Sequence, residues 1–165
     1  MRAITAVLLV LSLAILAVEP ALAQAPAPPP PYGTPISLEQ AKKVMAGAEA
    51  EAYKHKWNMV IAVLDSGGHL VMLERMDGTQ LGSIQAATDK AYSAVLYRRP
   101  TKVFQDLVGQ GGPNLQLLRL NGASPLEGGI PILVDGKVVG AVGVSGATSE
   151  QDAQVAKAGA DALTK

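Results

Sequence analysis

Ile130-Pro-Ile-Leu-Val-Asp-Gly-Lys-Val-Val-Gly-Ala-Val-Gly-Val144 decides the fold. Two β-branched, apolar runs flank Asp135-Gly136, and Asp-Gly between such runs is the signal of a tight two-residue hairpin. A second hairpin is read upstream. Met59 to Leu64 is a continuous apolar run, Asp65-Ser-Gly-Gly68 makes the turn, and His69 to Arg75 returns as its partner. Helical patterns surround both. Ser37-Leu-Glu-Gln40 is a capping box that opens a helix running to about Lys56. Ser83 to Arg98 forms a second helix that stops before Pro100, and Thr101 caps a short one through Leu107. Asn114 to Leu120 fits either helix or strand, and Thr148 or Ser149 caps a last helix to about Leu163. The order helix, hairpin, helices, hairpin, helix predicts an α+β fold, an antiparallel sheet built from two hairpins and flanked by helices.

The residues before this unit have a different character. Arg2, the apolar run Ala3 to Val18 and the small-x-small end Ala21-Leu-Ala23 read as a signal peptide over residues 1–23. The mature protein is then periplasmic or secreted, with no membrane attachment after cleavage. Residues 24–35 hold six of the eleven prolines and are expected to be an extended, Pro-rich tether. The folded domain is placed at 36–165.

Composition narrows the chemistry. The 165 residues contain no cysteine, so disulfides, thiolate metal sites and thiol nucleophiles are excluded. Fourteen basic and fourteen acidic side chains cancel, and the six aromatic residues are scattered, so no nucleic-acid partner is expected. His55 and His69 are the only histidines and hence the candidate metal ligands, although their spacing matches no metal motif. Each also has a plain structural reading, His55 as a cation at a helix end and His69 as a turn residue. Arg75 is suited to holding a ligand carboxylate beside Asp77-Gly78, or to pairing with a neighbouring acid. Gly140, Gly143 and Gly146 precede a helix N-terminus, where they serve either close packing or an anion. Ser145 lacks the full nucleophile-elbow pattern. Glu150 and Asp152 sit in the first turn of the last helix, where acids suit the helix dipole.

Several of these strings occur together in one known family. Asp65-Ser-Gly-Gly-His69-Leu-Val71, Glu74-Arg-Met-Asp-Gly78, Lys90-Ala-Tyr-Ser-Ala94, Gly128-Gly-Ile-Pro-Ile132, Asp135 to Gly146 and Glu150-Gln-Asp152 resemble the haem-degrading domain family. That family is GlcG/HbpS-like and is related to the C-terminal domain of PduO-type proteins. The resemblance implies an α+β domain, a homo-oligomer, and haem as cofactor and small-molecule partner, with slow haem degradation or iron sequestration in some members. His69, Arg75, Asp77, Lys90 and Tyr92 match it residue by residue. In this reading His55 or His69 supplies the axial nitrogen, and Arg75 or Lys90 meets the propionates. The alternatives are an organic-acid or corrinoid binding protein or enzyme using Arg75, Asp77 and the Gly140–Gly146 loop, and a structural oligomer.

Overall fold

The computed structural model describes residues 27–163. The segment read as a signal peptide lies outside the described residues, as do the first residues of the Pro-rich stretch. In chain order the elements are α1 (Leu38–His55), β1 (Val60–Asp65), β2 (Leu70–Arg75), α2 (Gly82–Tyr97), α3 (Lys102–Gly109), a 3-10 segment (Gly112–Arg119), β3 (Gly129–Val134), β4 (Lys137–Ser145) and α4 (Ser149–Asp161). Both expected hairpins are present. They join through their inner strands, β1 and β4, into a four-stranded antiparallel sheet of order β2-β1-β4-β3. At the β3–β4 turn Asp135 and Gly136 have φ of 50° and 71°, the two left-handed residues that the turn demands. The ambiguous stretch 114–120 falls mostly in the 3-10 segment, which buries no residue.

Strand periodicity sorts β1 between two cores. Ile61 and Val63 face α1 and α4, with Val142 and Val144 of β4 beside them. Val60, Ala62 and Leu64 face α2, whose Ala87, Ala91 and Ala94 lie against the sheet. Small residues on both surfaces bring α2 unusually close. Gly129 and Gly143 are cross-strand partners, and a Cβ at either would collide with the α2 backbone, at Lys90 and Ala87 respectively. Both α1 and α4 begin with capping boxes, Ser37 with Gln40 and Thr148 with Gln151.

One ionic contact ties the two helical layers together. The Lys90 ammonium reaches from α2 to the Asp152 carboxylate in the first turn of α4 at 2.6 Å, and donates also to the Val144 carbonyl at 3.0 Å. Both side chains are nearly fully buried. The other Asp152 oxygen accepts from the Ala147 N–H. Burial pushes the Asp152 carboxyl upward, against the pull of Lys90 and of the Ala147 and Gly146 backbone. Gly128 lies beside the pair, where a Cβ would crowd Val144 O, Asp152 and the Lys90 ammonium at once.

The Pro-rich stretch is bound to the domain over its second half, which shortens the expected tether. β1 covers β4 only up to Gly140, leaving the start of β4 open on that side. Residues 31–36 fill the gap: Val138 donates to Pro31 O, and Gly33 and Ile36 donate to the carbonyls of Val138 and Val139. The Tyr32 hydroxyl donates to the carbonyls of Val95 and Leu96, and Arg98 to that of Pro30. Among the described residues no helix is long and apolar enough to cross a membrane.

Breaking the buried pair leaves an unpaired charge in the core. Asp152→Ala is expected to cost about 3–5 kcal/mol, read from the denaturant midpoint. A Lys90→Met, Asp152→Leu double variant should recover most of that loss.

Candidate functional site

The sequence-predicted residues divide between the two ends of β1. At its C-terminal end lies the turn Asp65–His69. Asp65 Oδ1 accepts from the backbone N–H of Gly67 at 2.8 Å and of His69 at 2.9 Å. The same oxygen is 3.4 Å from His69 Nδ1. Partial burial raises the Asp65 carboxyl, but the His69 and Gly67 N–H groups and the adjacent imidazole outweigh it, and the net shift is downward. Asp65 therefore stands ionised beneath the imidazole. The His69 side chain is 83% exposed, so Nε2 is open to a ligand.

Tyr92 of α2 adjoins this turn. Gly68 and Gly122, both at positive φ, lie so close to its ring that a Cβ on either would strike it. The phenol has no hydrogen-bond partner among the described residues and is 39% exposed. Tyr92 lines two small clefts, one of about 130 Å³ with Tyr32, Gly67, Gly68 and Leu96, the other of about 380 Å³ with Asp89 and the Gly122–Pro125 loop. Tyr32 and Leu96 are likewise exposed, so this end of the molecule presents an apolar, partly aromatic surface next to a free imidazole nitrogen.

Residues at the other end of β1 are differently placed. His55 closes α1, with Nε2 3.0 Å from both Glu51 Oε1 and Gln154 Nε2 and its ring stacked on Trp57 at 4.4 Å. The two histidines are not brought together. Arg75, at the end of β2, donates weakly to Thr79 O at 3.4 Å, and Asp77 is exposed in the following turn. Beside Arg75, the carboxyl of Glu74 is raised by burial and by the charge of Glu49 on α1.

Packing corrects two expectations and decides between two readings of a third feature. Lys90 is inside the protein on Asp152 and cannot meet a ligand from solvent. Asp152 is that partner rather than only a dipole-facing acid. The positions of Gly140, Gly143 and Gly146 are filled by neighbouring backbone, at Leu64, Ala87 and Asn58, which supports packing over an anion loop. The free N–H groups beyond them are taken by the Thr148 capping box and by Asp152. Among the described residues the Ser145 hydroxyl meets only that of Ser83, with no base. Among the described residues no three His, Asp or Glu side chains gather to hold a metal ion.

Comparison with known proteins bears on the family and the fold. Residues 36–161 match the family model described as haem degrading protein HbpS-like. The chain belongs to that family. It is 44% identical to protein GlcG of Escherichia coli K12 over 110 residues, 67% of this chain and 81% of that protein. The crystal structure of a double mutant of HbpS from Streptomyces reticuli superposes with a TM-score of 0.71 at 33% identity, covering 79% of this chain and 88% of that one. A PduOC:heme complex gives the same TM-score at 25% identity, covering 78% and 95%.

Within this HbpS-like chain, two features escaped the sequence reading. Asp65 was read only as a turn residue, although its position four before His69 allows the pairing seen. Arg98-Arg99, a basic doublet before Pro100, reads in the sequence as no more than a helix end, yet both line a cleft with Pro28–Pro30 and β3.

The Glu74–Glu49 contact carries a pH signature. A raised carboxyl pKa favours the protonated form in the fold, so this stability is complete below the ordinary Glu value and is lost as pH rises through the raised one. Glu49→Gln should match wild type below about pH 4 and exceed it at neutral pH by roughly 0.5 kcal/mol, measured by urea unfolding across pH.

Proposed function

We propose that this HbpS-like chain is an exported haem-binding protein in which His69 supplies the axial nitrogen. The observation that carries the reading is the Asp65–His69 pair. A metal-binding imidazole commonly donates its second N–H to a carboxylate, which fixes the tautomer and makes the ligating nitrogen more basic. Here Asp65 Oδ1 stands 3.4 Å from Nδ1, near enough to favour that tautomer by charge, and the imidazole side chain is exposed. His55 offers less, since its Nε2 is held by Glu51 and Gln154 and one ring face is covered by Trp57.

Haem also needs an apolar wall, and Tyr92, Tyr32 and Leu96 supply one beside the turn. The bound iron would bring the redox chemistry; the protein's part is to orient one nitrogen and cover one porphyrin face. The PduOC:heme complex supports haem as the ligand. Export rests on the leader-like residues 1–23. A homo-oligomer fits the exposed Leu115, Leu118, Leu120 and Leu126 on and after the 3-10 segment, which lack cover in one protomer.

Haemin titration followed at the Soret band tests the assignment. Saturable binding by wild type and His55→Ala, lost in His69→Ala, is expected. Asp65→Asn should weaken binding by about 10–100-fold. Unchanged binding by His69→Ala would sink the axial role, and no spectral change with wild type would sink haem binding. Loss of the Soret band under air with ascorbate would indicate breakdown of the haem, and a stable band would indicate carriage.

A further inference from the structure

A separate cleft of about 500 Å³ opens between the Pro-rich segment and the α2–α3 junction. This is within the roughly 300–1,000 Å³ of small-molecule pockets. Pro28 to Pro30 form one wall, Ile130 and Leu133 of β3 another, and Val103 of α3 lies between. Among the described residues no Asp, Glu, His, Met or Tyr lines it, so none of these lining side chains is suited to ligate haem iron. The only charged residues lining it among the described residues are Arg98 and Arg99.

Both guanidinium groups are held in place without being neutralised. Arg98 donates to Pro30 O at 3.1 Å and lies over the Tyr32 ring at 5.1 Å. Arg99 donates through Nε to Tyr97 O at 3.1 Å and lies over Phe104 at 5.9 Å. Neither has a carboxylate within 4.0 Å among the described residues. Arg98 is further fixed as the left-handed cap of α2, with φ of 52°. An arginine presents five N–H donors, and each of these uses one on a backbone carbonyl. The remainder form a ready site for an oxyanion, since planar guanidinium matches carboxylate and phosphate geometry.

We propose that this cleft binds an amphiphile with a single oxyanion head on Arg98 and Arg99 and an alkyl chain along Pro28–Pro30, Val103, Ile130 and Leu133. The site is distinct from the His69 turn, so the proposal does not depend on the haem reading.

Calorimetric titration of the full protein with monomeric dodecanoate, dodecyl phosphate and dodecanol tests it. At least one of the two anions should bind saturably, with dodecanol at least about 10-fold weaker, equivalent to 1.4 kcal/mol. The stronger anion identifies the head group. Arg99→Gln and Val103→Trp, the latter filling the cleft from a partly exposed helix position, should each weaken binding about 10-fold while keeping the thermal midpoint and the haemin titration of wild type. Absence of saturable binding by both anions, equal binding of dodecanol, or wild-type affinity in both variants would overturn the proposal.

Discussion

The Lys90–Asp152 ion pair is the contact on which the arrangement of layers depends. An ammonium and a carboxylate taken out of water must find each other and further hydrogen bonds, or the fold loses several kcal/mol. Here the demand is met only if α2, the end of β4 and the first turn of α4 converge, because Val144 O and Ala147 N complete the set. Hydrophobic packing on the two sheet faces tolerates some sliding of helices. A buried pair with defined partners does not. Gly128 completes the constraint, since its missing side chain is what leaves space for the pair to form.

Much of the fold was legible in the sequence because local chemistry and global position agree. Asp135-Gly136 demands two left-handed residues, and Ser37 with Gln40 caps α1 through its own backbone. Long-range facts were less legible. A lysine in the middle of an amphipathic helix reads as solvated, and nothing near Lys90 in the chain reveals a partner 62 positions away. The Pro-rich stretch reads as free because proline cannot continue a ladder on its own. It is held because β1 stops short of the start of β4, a mismatch visible only once the strands are paired.

The candidate site shows the same division. Residue type pointed to His69 and the family resemblance to Tyr92, and the structure sets a carboxylate beside the imidazole and two glycines beside the phenol ring. Glycines in β4 that suggested a ligand loop instead admit neighbouring backbone. Family membership is thus compatible with several chemical roles for the same motif residues, and burial separates them. A cation on the inside holds layers together, whereas Arg98 and Arg99, unremarked in the sequence, face a cleft.

Pro131 in β3 has a consequence of its own. An open sheet ends in two strands whose outer backbone groups invite a foreign strand, and β3 is one of them. Proline there removes a donor from the strand and interrupts any regular ladder a neighbouring chain would build. Copies of this protein are thereby discouraged from joining into a continuous β-ribbon at that edge. Any association is steered to side-chain surfaces, and the apolar strand pair at the centre of the domain is kept from seeding fibrous aggregation.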